Sequence, residues 1–204
     1  MEIGILNYSV GNFGSLLSAI HKTGLLAKMA KTPEEIRSKD LLILPGVGHH
    51  SFCVNNLKTC GSDLAVKKHF NDKKPIIGIC IGMQLCFEKS EEAKYLDGLA
   101  LVQGEVKKVN ANLRVPITGF RPVEFSKTSF LSEFNNAKFY FNHSFHCIPK
   151  TSKTIIGNII EVEKPNTIAS ILDENFLGFQ FHPEISGVNG IKLLKKALSE
   201  KWWK

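Results

Sequence analysis

The chain has 204 residues, 43% of them hydrophobic, enough for one sizeable core and short for two independent ones, so a single domain over residues 1–204 is expected. Its net charge of +7 is spread over scattered lysines such as Lys67, Lys68, Lys107, Lys108, Lys195 and Lys196, with no basic stripe interleaved with aromatics, which argues against a nucleic-acid partner. No stretch approaches the roughly 20 apolar residues of a membrane span, MEIGILNYSV lacks the basic region of a signal peptide, and five cysteines with no C-x-x-C pair read as free thiols; a cytoplasmic chain without metal or cofactor is expected.

In chain order, EIGILNY (2–8) reads as a buried strand, FGSLLSAIHKTG (13–24) as an amphipathic helix closed by Gly24, and GLLAKMA (24–30) as a second strand. TPEEIRS opens a helix with Thr32 as N-cap, Pro33 at the first helical position and Glu35 three residues after the cap. DLLILPG (40–46) is a strand running into a glycine loop, residues 50–72 are helical in one or two pieces, and KPIIGIC (74–80) is a strand with a helix over GMQLCFEKS after it. This alternation predicts an α/β fold whose central sheet is mostly parallel, with helices on both faces. From about residue 99 the apolar runs shorten: LALVQGEVKKV, FRPVEF, KFYFNHSFH, TIIGNIIEV, TIASILDE and NFLGFQFHPE. Spaced by Gly, Asn and Pro, they predict hairpins that extend the sheet in antiparallel fashion through the C-terminal half. GVNGIKLLKKALSE closes the chain as an amphipathic helix with Ile191, Leu193, Leu194, Ala197 and Leu198 inward.

The stretch GICIG (78–82) places Cys80 at the turn between a strand and a helix, the cysteine form of a nucleophile elbow, with glycines where neighbouring backbone comes close. A sulfur there lies by a helix N-terminus, whose N–H groups favour a thiolate. A small buried hydrophobe is the other reading of a cysteine in that position. FQFHPE supplies His182 and Glu184, which as alternate residues of a strand share a face, so that the carboxylate fixes the tautomer of the imidazole. Both signals fall at the C-terminal ends of strands, where open α/β sheets place their sites.

PGVG (45–48), GICIGMQL (78–85) and GFQFHPE (178–184), in that order, resemble class I glutamine amidotransferases. NYSVGNFGSL, GICIGMQLCFEKSEE and NHSF are similar to the glutaminase subunits of imidazole glycerol phosphate synthases, and the likeness spans essentially the whole chain. The resemblance implies a flavodoxin-like class I glutaminase fold and a Cys80–His182–Glu184 triad that hydrolyses L-glutamine. It implies an oxyanion hole from the N–H groups of Val47, Gly48 and Ile81, and a substrate held by Gly46, Gln84, Glu92, His143 and Ser144, the last two at the α-carboxylate. It also implies a partner synthase, a (β/α)8-barrel cyclase bound as a heterodimer, that receives ammonia by a shielded route. Asn12, Phe120 and Arg121 would then lie toward that partner, although SVGNFG reads equally as a tight turn before a helix.

Two places depart from the pattern resembled. The usual Pro-His-Met-Gly-Trp-Asn type of segment is Pro116-Ile117-Thr118-Gly119-Phe120-Arg121 here, and the usual Asp at the end of the first strand is Asn7. Neither touches the triad, so they bear on which synthase is served. Three readings follow: a glutaminase subunit for histidine biosynthesis; a paralogue feeding another synthase, such as one that amidates a surface-polysaccharide sugar; and a cysteine hydrolase or binding protein on the same fold.

Overall fold

The computed structural model describes residues 1–8, 13–109, 115–160 and 168–203. All residues of β1 (Ile3–Leu6), β3 (Leu41–Leu44) and β4 (Ile76–Ile79) are buried, which is why these stretches read as unbroken apolar runs. With β2 (Ala27–Ala30) they pair in parallel. Alternation along the strands divides the core. Ile3, Ile5, Leu41 and Ile43 face one layer, with Leu16 and Ile20 of α1 (Phe13–Lys22) and Leu193 and Ala197 of α6 (Gly187–Ser199). Leu6, Leu42 and Leu44 face the other, with Ile36 of α2 (Pro33–Ser38), Leu57 of α3 (His50–Thr59) and Val66 of α4 (Ser62–Asn71). The helix start at Thr32 forms as expected, a capping box in which Thr32 and Glu35 each accept the other's backbone N–H. Gly61, at φ 66°, separates the two pieces of the 50–72 segment.

Later strands are β7 (Ile117–Phe125), β8 (Lys138–His143), β10 (Ile155–Ile159), β11 (Ile168–Asp173) and β12 (Phe176–Phe179). Among the described residues nine strands form one sheet in the order β2-β1-β3-β4-β12-β11-β10-β7-β8. It is parallel from β2 to β12 and antiparallel from there on, so the mixed α/β architecture stands as read. None of the described helices is long and apolar enough to cross a membrane.

Two expectations are corrected. The helix over 82–90 lasts one turn, α5 (Ile81–Gln84), before the chain becomes β5 (Phe87–Ser90). The carbonyls of Leu85, Cys86 and Glu88, which a continuing helix would use, instead accept N–H groups from Leu99, Leu101 and Gly98. Nor do all the late strands extend one sheet. β5, β6 (Val102–Lys108) and β9 (Phe145–Pro149) make a second, three-stranded sheet. KFYFNHSFH is therefore two strands: His143 pairs with Ile117 in the large sheet and Phe145 with Lys108 in the small one, while the Ser144 carbonyl between them accepts from Val109.

Candidate active site

Cys80 follows β4 directly and starts α5 at φ 47° and ψ −107°, a conformation that costs a non-glycine residue on the order of 1–3 kcal/mol. Its flanking glycines are required sterically. A Cβ on Gly82 would lie 2.1 Å from the Leu44 carbonyl oxygen, and one on Gly78 would lie 2.8 Å from the Met83 backbone. The helical turn is thus pressed against β3 and its own strand, and the Cys80 N–H donates to Phe179 O at 2.7 Å, tying the turn to β12. The sulfur is buried, 3.9 Å from the Asn142 carbonyl oxygen and 3.7 Å from Gln180 Nε2.

β12 lies beside β4 with Phe179 opposite Ile79, so both chains leave the sheet together. His182 sits beyond the end of β12 and Glu184 in a single 3-10 turn, Pro183–Ile185. Their pairing therefore does not come from two alternate positions on a strand, as the sequence suggested, but from that turn. It is fixed by the His182 N–H donating to Tyr140 O and by the Ser186 hydroxyl donating to His182 O. Imidazole Nδ1 and Glu184 Oε1 are 2.8 Å apart, and since a carboxylate accepts, Nδ1 carries the proton. Gly46 abuts the other side of the ring, where a Cβ would come 3.0 Å from His182 Cε1.

Burial pulls the pKa of His182 down, but hydrogen bonds and charge pairing with Cys80 and Glu184 outweigh it and push the value up to about 10. Because the folded value exceeds the ordinary 6.5, the stability this pairing contributes is complete below about 6.5 and is lost as pH rises through about 10. Cys80→Ala removes one of the two partners. In an NMR titration of the His182 ring its midpoint should move down, and an unchanged midpoint would mean that Glu184 alone holds the proton.

The triad lines a cavity of about 570 Å³, the size of a small-molecule site, together with Gly46, Val47, Gly48, Ile81, Gln84, Glu92, His143 and Ser144. Glu92 is held at the start of α3, where Oε2 accepts the His50 N–H at 3.2 Å and Oε1 lies 3.5 Å from His49 Nε2. His143 donates from Nδ1 to Phe145 O at 2.8 Å, and burial pushes its pKa down to about 4, so it is neutral at physiological pH. The NH2 group of Gln84 donates to Phe145 O at 2.9 Å. Phe120 and Arg121 lie outside this cavity on β7; Phe120 packs edge-on against Tyr140, which does line it, and Arg121 Nη2 is 3.4 Å from Thr118 O. Asn12 falls outside the described residues. Sequence reasoning missed Gln180, fully buried beside Cys80, and Tyr8, whose hydroxyl donates to Pro45 O and anchors the glycine loop. A polar residue inside the apolar run FLGFQF was the available signal for the first.

Residues 6–200 match the profile of the family described as Glutamine amidotransferase class-I. The chain is 36% identical to the imidazole glycerol phosphate synthase subunit HisH of Pyrococcus furiosus, over 95% of this chain and 96% of that one. It is 35% identical to the subunit of the same name from Lactococcus lactis, over 98% of each. In fold it is similar to a glutamine amidotransferase crystal structure, with a TM-score of 0.78 at 16% identity over 97% of this chain and 98% of that chain. It is also similar to a chain of PurLQS from Thermotoga maritima, with a TM-score of 0.76 at 17% identity over 97% of each.

Proposed function

Because the chain belongs to the class I glutamine amidotransferase family, we propose that it is the glutaminase subunit of an imidazole glycerol phosphate synthase, working in the cytoplasm as one domain over residues 1–204. The Cys80 thiolate attacks the side-chain carbonyl carbon of L-glutamine, forming a C–S bond and a tetrahedral oxyanion. N–H groups of Ile81 and of Val47 or Gly48 receive that oxygen; Gly48, at φ 137°, has the backbone freedom to turn its peptide toward it. The imidazolium of His182 gives its proton to the departing nitrogen, the C–N bond breaks, and ammonia leaves a γ-glutamyl thioester. Water then loses a proton to His182 and attacks the thioester, and the C–S bond breaks to return the thiolate and release glutamate. Glu184 holds the ring throughout. Glu92 meets the α-ammonium group, and the His143–Ser144 segment lies at the α-carboxylate, where the Ser144 hydroxyl rather than the His143 ring donates, because the one ring N–H of neutral His143 is already given to Phe145 O.

What supports this reading is the buried Cys80–His182–Glu184 line on a chain more than one-third identical, nearly end to end, to a chain named as the HisH subunit of imidazole glycerol phosphate synthase. The ammonia is delivered to a synthase partner, a (β/α)8-barrel cyclase, in a heterodimer. Glutamate release by the purified chain, with and without the cyclase and its acceptor, tests the proposal: slow turnover alone and faster turnover in the complex are expected. Acceleration by a sugar-modifying synthase instead would move the chain to the paralogue reading.

Phe120, 53% exposed, is placed on the partner side in this proposal. Phe120→Ala should weaken the complex by about 1–3 kcal/mol while leaving the melting temperature and the uncoupled rate near those of the parent. A lower melting temperature with unchanged affinity would remove Phe120 from the interface.

A further inference from the structure

Gln180 has no part in the triad, yet its side chain lies fully buried between the nucleophile and Gln84. Which end of its amide meets the sulfur follows from the hydrogen bonds around it. The carbonyl oxygen of Phe145 can only accept, and Gln84 lies 2.9 Å from it, so Gln84 presents its NH2 group there. The second N–H of that group reaches Gln180 at 3.4 Å, and the atom it meets must be the acceptor Oε1. Gln180 is thereby left with its own NH2 group toward Cys80 Sγ, at 3.7 Å. The polarity of the chain Phe145 carbonyl, Gln84, Gln180, Cys80 is set by a main-chain group that cannot rotate. With His143 Nδ1 donating at 2.8 Å as well, Phe145 O has both lone pairs engaged and holds the first link firmly.

Of the sulfur's other polar partners, His182 pairs with it as the base, and the Asn142 carbonyl oxygen at 3.9 Å offers nothing to a thiolate. We infer that Gln180 is a further catalytic residue, an N–H donor that holds the Cys80 thiolate alongside His182 and is oriented through Gln84 by the Phe145 carbonyl. The inference rests on the reading of Cys80 as the nucleophile. A thiolate accepts this bond more strongly than the thioester sulfur does, so the amide favours the enzyme poised for attack and returns the sulfur to that state after hydrolysis.

The test is the rate at which iodoacetamide alkylates Cys80 in the full chain, resolved from Cys60 by mass spectrometry of the labelled peptides. Two variants are compared with the parent. Gln180→Met keeps the length of the side chain and loses the amide; Gln180→Asn keeps the amide and withdraws it by one methylene, and either one decides if the other fails to fold. At neutral pH alkylation should slow about tenfold, in line with a hydrogen bond to a charged group. At the highest pH that still leaves His182 protonated, below about 10, the rates should converge on the parent's. A neutral rate equal to the parent's in a folded variant overturns the role of Gln180. Equal slowing at both pH values also overturns it, because it would mean a displaced sulfur rather than a lost donor. Should the parent's Cys80 react no faster than exposed Cys60, the nucleophile assignment itself fails, and the role of Gln180 with it.

Discussion

Cys80→Ala should lower glutamine hydrolysis by about five orders of magnitude while leaving the fold in place, since loss of the nucleophile from a triad costs nearly as much as loss of the whole unit. The side chain removed is small, and the backbone strain at φ 47° belongs to the turn rather than to the sulfur. The melting temperature should therefore fall only by the part of the His182 pairing that Cys80 supplies, and partner binding should survive. Glutamate release at the parental rate by a folded Cys80→Ala chain would take the chemistry away from the elbow altogether.

The second large effect is on stability. In Gly82→Ala the new methyl would lie 2.1 Å from the Leu44 carbonyl oxygen and 2.9 Å from Leu44 Cβ, and the first of these is main chain that no rotamer change can move aside. α5 must lift off β3, taking Cys80 with it. The cost should reach about 3 kcal/mol, seen as a fall of roughly 10 °C in melting temperature, with activity lost in parallel. Normal melting in this variant would show that the contact between β3 and α5 is looser than described.

Much of the architecture was legible because its strands are of a kind that sequence reveals well. A parallel strand buried on both faces, such as LLIL in β3, admits almost no polar residue, and the helix at Thr32 declares its own start through a capping box. What could not be read depends on partners distant in the chain. MQLCFEKS carries its apolar residues at spacings that suit a helix, and only the N–H groups of residues 98–101, claiming the carbonyls of 85–88, turn it into a strand. The division of KFYFNHSFH at Ser144 likewise follows from a choice of sheet, His143 going to β7 and Phe145 to β6. At the site, Cys80, His182 and Glu184 stood out because each lies in a compact motif. Gln180 did not, since its meaning lies in Gln84 and Phe145 rather than in its neighbours along FQFHPE.

The position of β12 bears on how the protein comes into being. It is the last strand in sequence, yet it lies at the centre of the large sheet, between β4 and β11. On the ribosome β1 to β4 can pair as they emerge, but β4 then presents an open edge until β12 has been made, and the antiparallel half has no seam with the parallel half until the same moment. Such an edge is a template for wrong pairing, so the hazard of misassembly falls on this nascent stage rather than on the finished molecule. His182 arrives only with that closing strand. The reactive thiol and its base are therefore joined by the same late event that unites the two halves of the sheet, and an unfinished chain holds a cysteine with no means of using it.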